Sequence, residues 1–355
     1  MAETGTDSVT GTIYVIAEMA YSHDGSVDLA ERIVRDAASA GADAISIHIT
    51  HMPDYMVRDY GTGAGRVSAG KETSPIYDYL CDISLSFDQW ERVAAVAREV
   101  GLDLVIMPND GPSLDFAVTL SPDALVVPPA CFEEHDFIDA VGRQGTPIYL
   151  RVGGATLGEI ESVIERLRAT GAGAITLLYG HQNYPTSIAD TSLRFLECLR
   201  NSFGLPVGIA DHVDADDDFA LMAPLLAIPL GITCIEKHIT HDRAKRGEDF
   251  ESALNGDELA RLVTLVRKAE MALGVPHAAG LDASSRKYRG NVRKRLVAAR
   301  AIAAGETITA DALIAKRSDA GVSPAHKALF VGSTARTGIA ADQGMAFDLI
   351  VGAAP

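Results

Sequence analysis

Positive charge is scarce in this chain. Thirty-one Lys and Arg stand against 48 Asp and Glu, a formal net charge of -17 at pH 7. That balance argues against non-specific binding to nucleic acid or to an anionic membrane. It leaves room for an anion in a locally basic pocket. Cysteine is also sparse. Cys81, Cys131, Cys198 and Cys234 are far apart and form no CxxC, so neither a disulfide framework nor a thiolate zinc site is expected. No apolar run reaches 18 residues, and the start, MAETGTDSVTG, does not read as a signal peptide. A soluble cytoplasmic protein is the expectation. A GxGxxG after the first strand and a GxxxxGK[ST] are both missing, which weakens dinucleotide and P-loop readings.

What is present is a repeated strand–helix unit. Apolar residues make up 47% of 355, enough for a sizeable core. Strands are expected at 12–17, 43–49, 102–107, 123–127, 146–151, 173–179, 205–209 and 231–236. Helices are expected over 27–40, 86–100, 133–144, 156–170, 188–202, 214–229 and 257–273. Thr156 followed by Glu159 is a capping-box pattern. Eight such units predict an α/β fold, a (β/α)8 TIM barrel, over 1–280. The connection from Thr50 to about Ser86 is long. It carries Tyr55, Tyr60, Tyr77 and Tyr79 and a glycine-rich run at 61–65, and is expected to wall or cover an active site. After Gly274 the composition shifts. A basic, linker-like passage is expected at 281–293, and a compact tail domain of short strands and tight turns at 294–355.

Chemistry concentrates where strands end. Gly208-Ile209-Ala210-Asp211-His212 and Ile235-Glu236-Lys237-His238 each close an apolar run. In a parallel barrel these ends share the C-terminal face, where active sites are built. His212 and His238 can therefore share one divalent metal, with open positions for substrate oxygens. Glu18, at the end of strand one, is a candidate general base or hydroxyl clamp. His48, His51 and His181 fall at the same face, and Arg151 is a natural carboxylate or phosphate clamp. Asp249 is placed to orient a substrate hydroxyl or a metal-bound water. Together these residues suggest an anionic or oxygen-rich substrate.

As a set, the chain resembles the sialic acid synthase family, the N-acetylneuraminate synthases and their relatives. The resemblance rests on Ala17-Glu18 with His23-Asp24-Gly25, on Asn183-Tyr184-Pro185-Thr186, on Asp211-His212 and on Ile235-Glu236-Lys237-His238. In the tail, Leu296-Val297-Ala298-Ala299-Arg300, Gly305-Glu306 and Lys316-Arg317 resemble the family's antifreeze-like, or SAF, domain. The resemblance implies a TIM barrel, a small C-terminal domain and a domain-swapped homodimer. It implies condensation of phosphoenolpyruvate with an N-acetylated amino sugar aldehyde. His212 and His238 would be metal ligands, for Mn2+ first and for Zn2+, Fe2+, Co2+ or Mg2+ otherwise. Glu18, His48 and Asp249 are the catalytic candidates. His23, Arg151, His181, Asn183, Tyr184, Asp211, Lys237 and Arg317 are the substrate-binding candidates.

The departures fall on the donor side. Ser46-Ile47-His48 stands where the family carries Lys-Phe-Gln, and Val126-Val127-Pro128-Pro129-Ala130-Cys131 where it carries Lys-Ile-Ala-Ser-Gly-Glu. Each charge-assisted bond to a phosphate is worth roughly 1.5–3 kcal/mol, so losing two lysines removes several such terms. The expectation is a metal-dependent carbon–carbon bond-forming or -cleaving enzyme with an altered enol donor, acting on a sugar-like aldehyde or keto acid. The alternatives are the phosphoenolpyruvate-dependent synthase itself and a non-catalytic binding homodimer.

Overall fold

The computed structural model describes residues 12–62, 73–274 and 280–352. The polar start at 1–11 and most of the glycine-rich run, from residue 63 on, lie outside the described residues. The chain divides into two compact units, Met1–Val275 and Pro276–Pro355.

Eight parallel strands close the first unit into a barrel. They are β1 (Tyr14–Glu18), β2 (Ala44–Ile49), β3 (Asp103–Pro108), β4 (Ala124–Val127), β5 (Ile148–Arg151), β6 (Ile175–Tyr179), β7 (Val207–Asp211) and β8 (Cys234–His238). Closure is made by β1 on β8, with Glu18 opposite His238 and Ile16 opposite Glu236. Helices α1 (Val27–Ala40), α2 (Met52–Tyr55), α3 (Ile76–Ile83), α4 (Phe87–Glu99), α5 (Gly111–Thr119), α6 (His135–Gly142), α7 (Leu157–Thr170), α8 (Phe195–Phe203), α9 (Phe219–Ala227) and α10 (Gly256–Leu273) occupy the connections. The TIM-barrel expectation holds. Thr156 caps α7, and its hydroxyl and Glu159 form the expected capping box. Two helices are shorter than their apolar spacing suggested. The run at 188–202 opens with a 3-10 turn at Ile188–Asp190 and becomes α-helical only from Phe195, and that at 214–229 only from Phe219. The Asp214 and Asp217 side chains accept backbone N–H groups two residues on, which holds turns ahead of α9.

Side chains alternate between two cores. Val15, Ile45, Ile47, Ile209 and Ile235 join the layer between sheet and helices. Tyr14, Ile16, Ala44, Val105, Val126 and Tyr149 pack inside the barrel. With a period of two, Glu18, His48, Arg151, Glu236 and His238 follow the inward set. Asp211 and Lys237 follow the outward set. Gly180, just past β6, allows close approach: a Cβ there would lie 1.7 Å from the carbonyl oxygen of Ala210.

The second unit has its own small core around Leu296, Ile308, Leu313, Phe330 and Met345. Helix α11 (Ala283–Val292) lies where a linker was expected, capped by Asp282, whose side chain accepts the Ser285 N–H at 2.6 Å. Strands β9 (Lys294–Ala298) and β10 (Leu313–Arg317) pair antiparallel. A short helix, α12 (Lys327–Phe330), precedes a second pair, β11 (Thr334–Ala335) with β12 (Ile350–Val351).

Candidate active site at the barrel mouth

Two histidines meet at the closing edge of the barrel. His238 is the last residue of β8 and His212 follows β7 directly. Their ring centroids are 5.0 Å apart. The His212 Nδ1–H donates to the carbonyl of Ala210 at 3.1 Å, which leaves Nε2 as an acceptor. That Nε2 and both nitrogens of His238 are buried without a hydrogen-bond partner among the described residues. Burial pushes both histidines down, His238 to about 3, with neighbouring charge on Arg151 adding to the effect. Two neutral imidazoles with bare nitrogens suit a divalent ion. A ring bound at about 2 Å places its centroid roughly 3 Å from the ion, so a 5.0 Å separation is compatible with one shared ion. Among the described residues no group of three or more His, Cys, Asp or Glu side chains can hold an ion. Tyr184, in the loop after β6, stands edge-on to both rings at 5.2 and 5.7 Å.

Beside this pair Arg151 bridges strands across the barrel. Its Nη2 lies 2.6 Å from Glu18 Oε2 and 2.7 Å from Glu236 Oε1. All three are buried. Burial raises Glu236 to about 7, against the pull of Arg151 and with the help of Glu18. Burial also acts to raise Glu18, but His48 and Arg151 overcome it and hold this carboxyl well below its usual range. The two carboxylates titrate apart, and Glu236 is the one that holds a proton near neutrality. His48 Nε2 is 3.1 Å from Glu18 Oε1, an ion-pair distance off the hydrogen-bond axis. The Ala20 N–H donates to the same oxygen at 2.8 Å.

The remaining candidates are distributed unevenly. Asp249 takes a left-handed backbone, φ 59°, and its carboxyl is raised well above the ordinary range by burial and by Glu248 and Glu18. Asp211 and Lys237 form a buried pair, with Nζ donating to Oδ2 at 2.5 Å. Their outward register turns them from the mouth. His23 is fully buried edge-on to Trp90, 5.3 Å between centroids, and its Nδ1 accepts the Gly25 N–H. His181 packs against Tyr179, which faces the helix layer. Asn183 is exposed and its carbonyl accepts the Thr186 hydroxyl. His51 lies outside the pocket, paired with Asp54 at 2.5 Å. Arg317, on β10 of the second unit, donates to the Asn291 carbonyl. Glu236 was the residue without an assigned role. It shares the inward face with His238 two positions on, and that period was the available signal.

The model of the NeuB family matches residues 33–278, and that of the SAF domain residues 293–351. The chain is 26% identical to the N,N'-diacetyllegionaminic acid synthase of Legionella pneumophila, over 91% of this chain and 90% of that one. It is 27% identical to the pseudaminic acid synthase of Campylobacter jejuni, covering 88% and 89%. The solved N-acetylneuraminic acid synthetase of Leptospira borgpetersenii superposes with a TM-score of 0.68 at 24% identity, over 80% of this chain and 93% of that one. No described helix is long and apolar enough to cross a membrane.

Proposed function

Because the chain belongs to the NeuB family, we propose that it joins a three-carbon enol acid to the open-chain aldehyde of an N-acylated amino sugar. Phosphoenolpyruvate is the donor that family membership supports. The observation carrying this reading is the pair of buried imidazoles at the barrel mouth, His212 with its Nε2 and His238 with both nitrogens unpartnered among the described residues, with Tyr184 edge-on to both. His212 and His238 would hold a divalent ion, Mn2+ being the first to test. When bound, such an ion supplies Lewis acidity toward a carbonyl oxygen. Tyr184 packs beside the acceptor position, and His48 and Arg151 keep Glu18 ionised. The tests are phosphate release and product mass when the purified protein meets phosphoenolpyruvate and N-acylated hexosamines. Absence of a condensed product with any three-carbon acid would sink the reading.

A second donor reading rests on one observation. The eight barrel strands carry only two cations, Arg151 and Lys237. Lys237 faces outward on Asp211, and Arg151 is already shared by Glu18 and Glu236. That arrangement suits a donor without a phosphate, namely a 2-oxo acid. The proposal extends to a homodimer. Sedimentation at about twice the 37.5 kDa chain mass supports that extension, and sedimentation as a single chain removes it.

A further inference from the structure

One short segment holds the main-chain carbonyls of both histidines at the mouth. It follows β8 and contains Ser252, which is fully buried. The Ser252 hydroxyl donates to the carbonyl of His212 at 2.8 Å. Two residues on, the Leu254 N–H donates to the carbonyl of His238 at 2.9 Å. The span 252–254 therefore ties the ends of β7 and β8 to each other. The His212 carbonyl also accepts the Thr186 N–H at 2.8 Å, so both its lone pairs are used. Thr186 closes the loop that carries Tyr184, its hydroxyl donating to the carbonyls of His181 and Asn183. The Ser252 N–H donates to the Asp249 carbonyl at 3.2 Å, in the turn that begins at the left-handed Asp249. A single carbonyl oxygen thus joins His212, the Tyr184 loop and the Asp249 turn. Of the three bonds to the two histidine carbonyls, only that of Ser252 comes from a side chain.

We infer that Ser252 is a positioning residue that sets the spacing of His212 and His238 and couples the pair to Asp249, an inference that rests on the metal site proposed above. An ion held by imidazole nitrogens at about 2 Å tolerates little error in where the rings stand. The His212 ring is fixed to its own strand by the Ala210 carbonyl at 3.1 Å, so it moves with its main chain. The His238 ring has no hydrogen bond among the described residues and relies on its main chain in the same way. Without the Ser252 hydroxyl, the His212 carbonyl keeps one bond of two. The loop keeps a separate tie, since the Glu251 carbonyl accepts the Ala215 N–H at 2.7 Å. The loop's fold therefore outlasts the substitution, and the aim of His212 does not.

The test needs no substrate. Full-length protein is titrated with Mn2+ alone, and free ion is read by electron paramagnetic resonance. Ser252→Ala is expected to weaken Mn2+ binding by about 10-fold, the scale for removing a group that orients a ligand, with far-UV circular dichroism unchanged. The visible absorption band of bound Co2+, which reports ligand geometry, should shift in the same variant. Ser333→Ala is the control. It removes a buried hydroxyl that donates to the Phe330 carbonyl at 2.6 Å in the second unit, and should leave both readouts as in wild type. Should Ser252→Ala fail to fold, Ser252→Cys exchanges the hydroxyl for a weak donor and carries the same expectation. A Kd for Mn2+ within about threefold of wild type overturns the inference, as does an unshifted Co2+ band or an equal loss in Ser333→Ala. If wild type binds Mn2+ and the Ser252 variant binds it equally, the inference falls while the proposed metal site stands. If wild type binds none, both fall.

Discussion

At the scale of the residue, the site is defined by where charge is buried and what answers it. Removing Arg151 leaves two carboxylates in the barrel interior. Arg151→Met is therefore expected to destabilise by about 3–5 kcal/mol, the cost of stranding one partner of a buried ion pair, read from urea midpoints. Lys237→Met should cost a similar amount by stranding Asp211, yet leave Mn2+ affinity unchanged, because this pair lies on the outer face. Calorimetric titration separates the two effects. A large fall in metal affinity for Lys237→Met would contradict that placement. His212→Ala combined with His238→Ala should abolish stoichiometric Mn2+ retention, checked by elemental analysis after gel filtration. The histidines were legible from sequence because each ends an apolar run. The sidedness of Asp211 and Lys237 was legible only relative to those histidines, through the period of two, and not from apolar content. A strand buried on both faces reads as continuously apolar, and no alternation marks its inward residues.

At the scale of the element, the strands were easier to read than the helices. Thr156 and Glu159 announced α7, and the structure starts it there. Helix α9 was overestimated because its apolar content gave no start signal, and aspartate turns won the residues before Phe219. The basic passage at 281–293 reads as a linker, since charge without periodicity carries no packing information. Asp282 nevertheless caps it into a helix with no buried residue. Gly290 within that helix has open space around its Cβ position. Gly290→Ala is expected to stabilise the second unit by roughly 0.5–1 kcal/mol through helix propensity alone. Thermal unfolding would show a higher midpoint. Gly180→Ala should act in the opposite sense, because its Cβ would meet the Ala210 carbonyl between β6 and β7.

At the scale of the whole molecule, buried ionisable groups tie stability to pH. His23 and His238 are pushed down to about 3 by burial. Between that value and the ordinary histidine value near 6.5, the unfolded chain binds protons that the folded chain refuses. Their contribution is complete above about pH 6.5 and is lost as pH falls toward 3. The low Glu18 and His212 act in the same direction. Glu236 and Asp249, both raised, act against it, since their folded forms hold protons that the unfolded chain has released. Each buried histidine alone should cost on the order of 1 kcal/mol of stability between pH 7.5 and 5.5, and in metal-free Glu236→Gln/Asp249→Asn protein, where the opposing acids are absent, the midpoint should fall with pH. Urea midpoints at the two values check this, and a midpoint that rises in acid would refute it.

The bridge from Arg151 to Glu18 and Glu236 also bears on how the polypeptide is made. It joins the first, fifth and eighth strands, and its carboxylates lie at opposite ends of the barrel sequence. During synthesis β1 emerges early and waits with one edge unpaired until β8 has left the ribosome. Glu18 waits with it, an acid on a strand that would otherwise be an adhesive apolar edge. The pocket and the closed sheet therefore come into being together, late in translation, and a nascent chain halted before residue 236 holds neither.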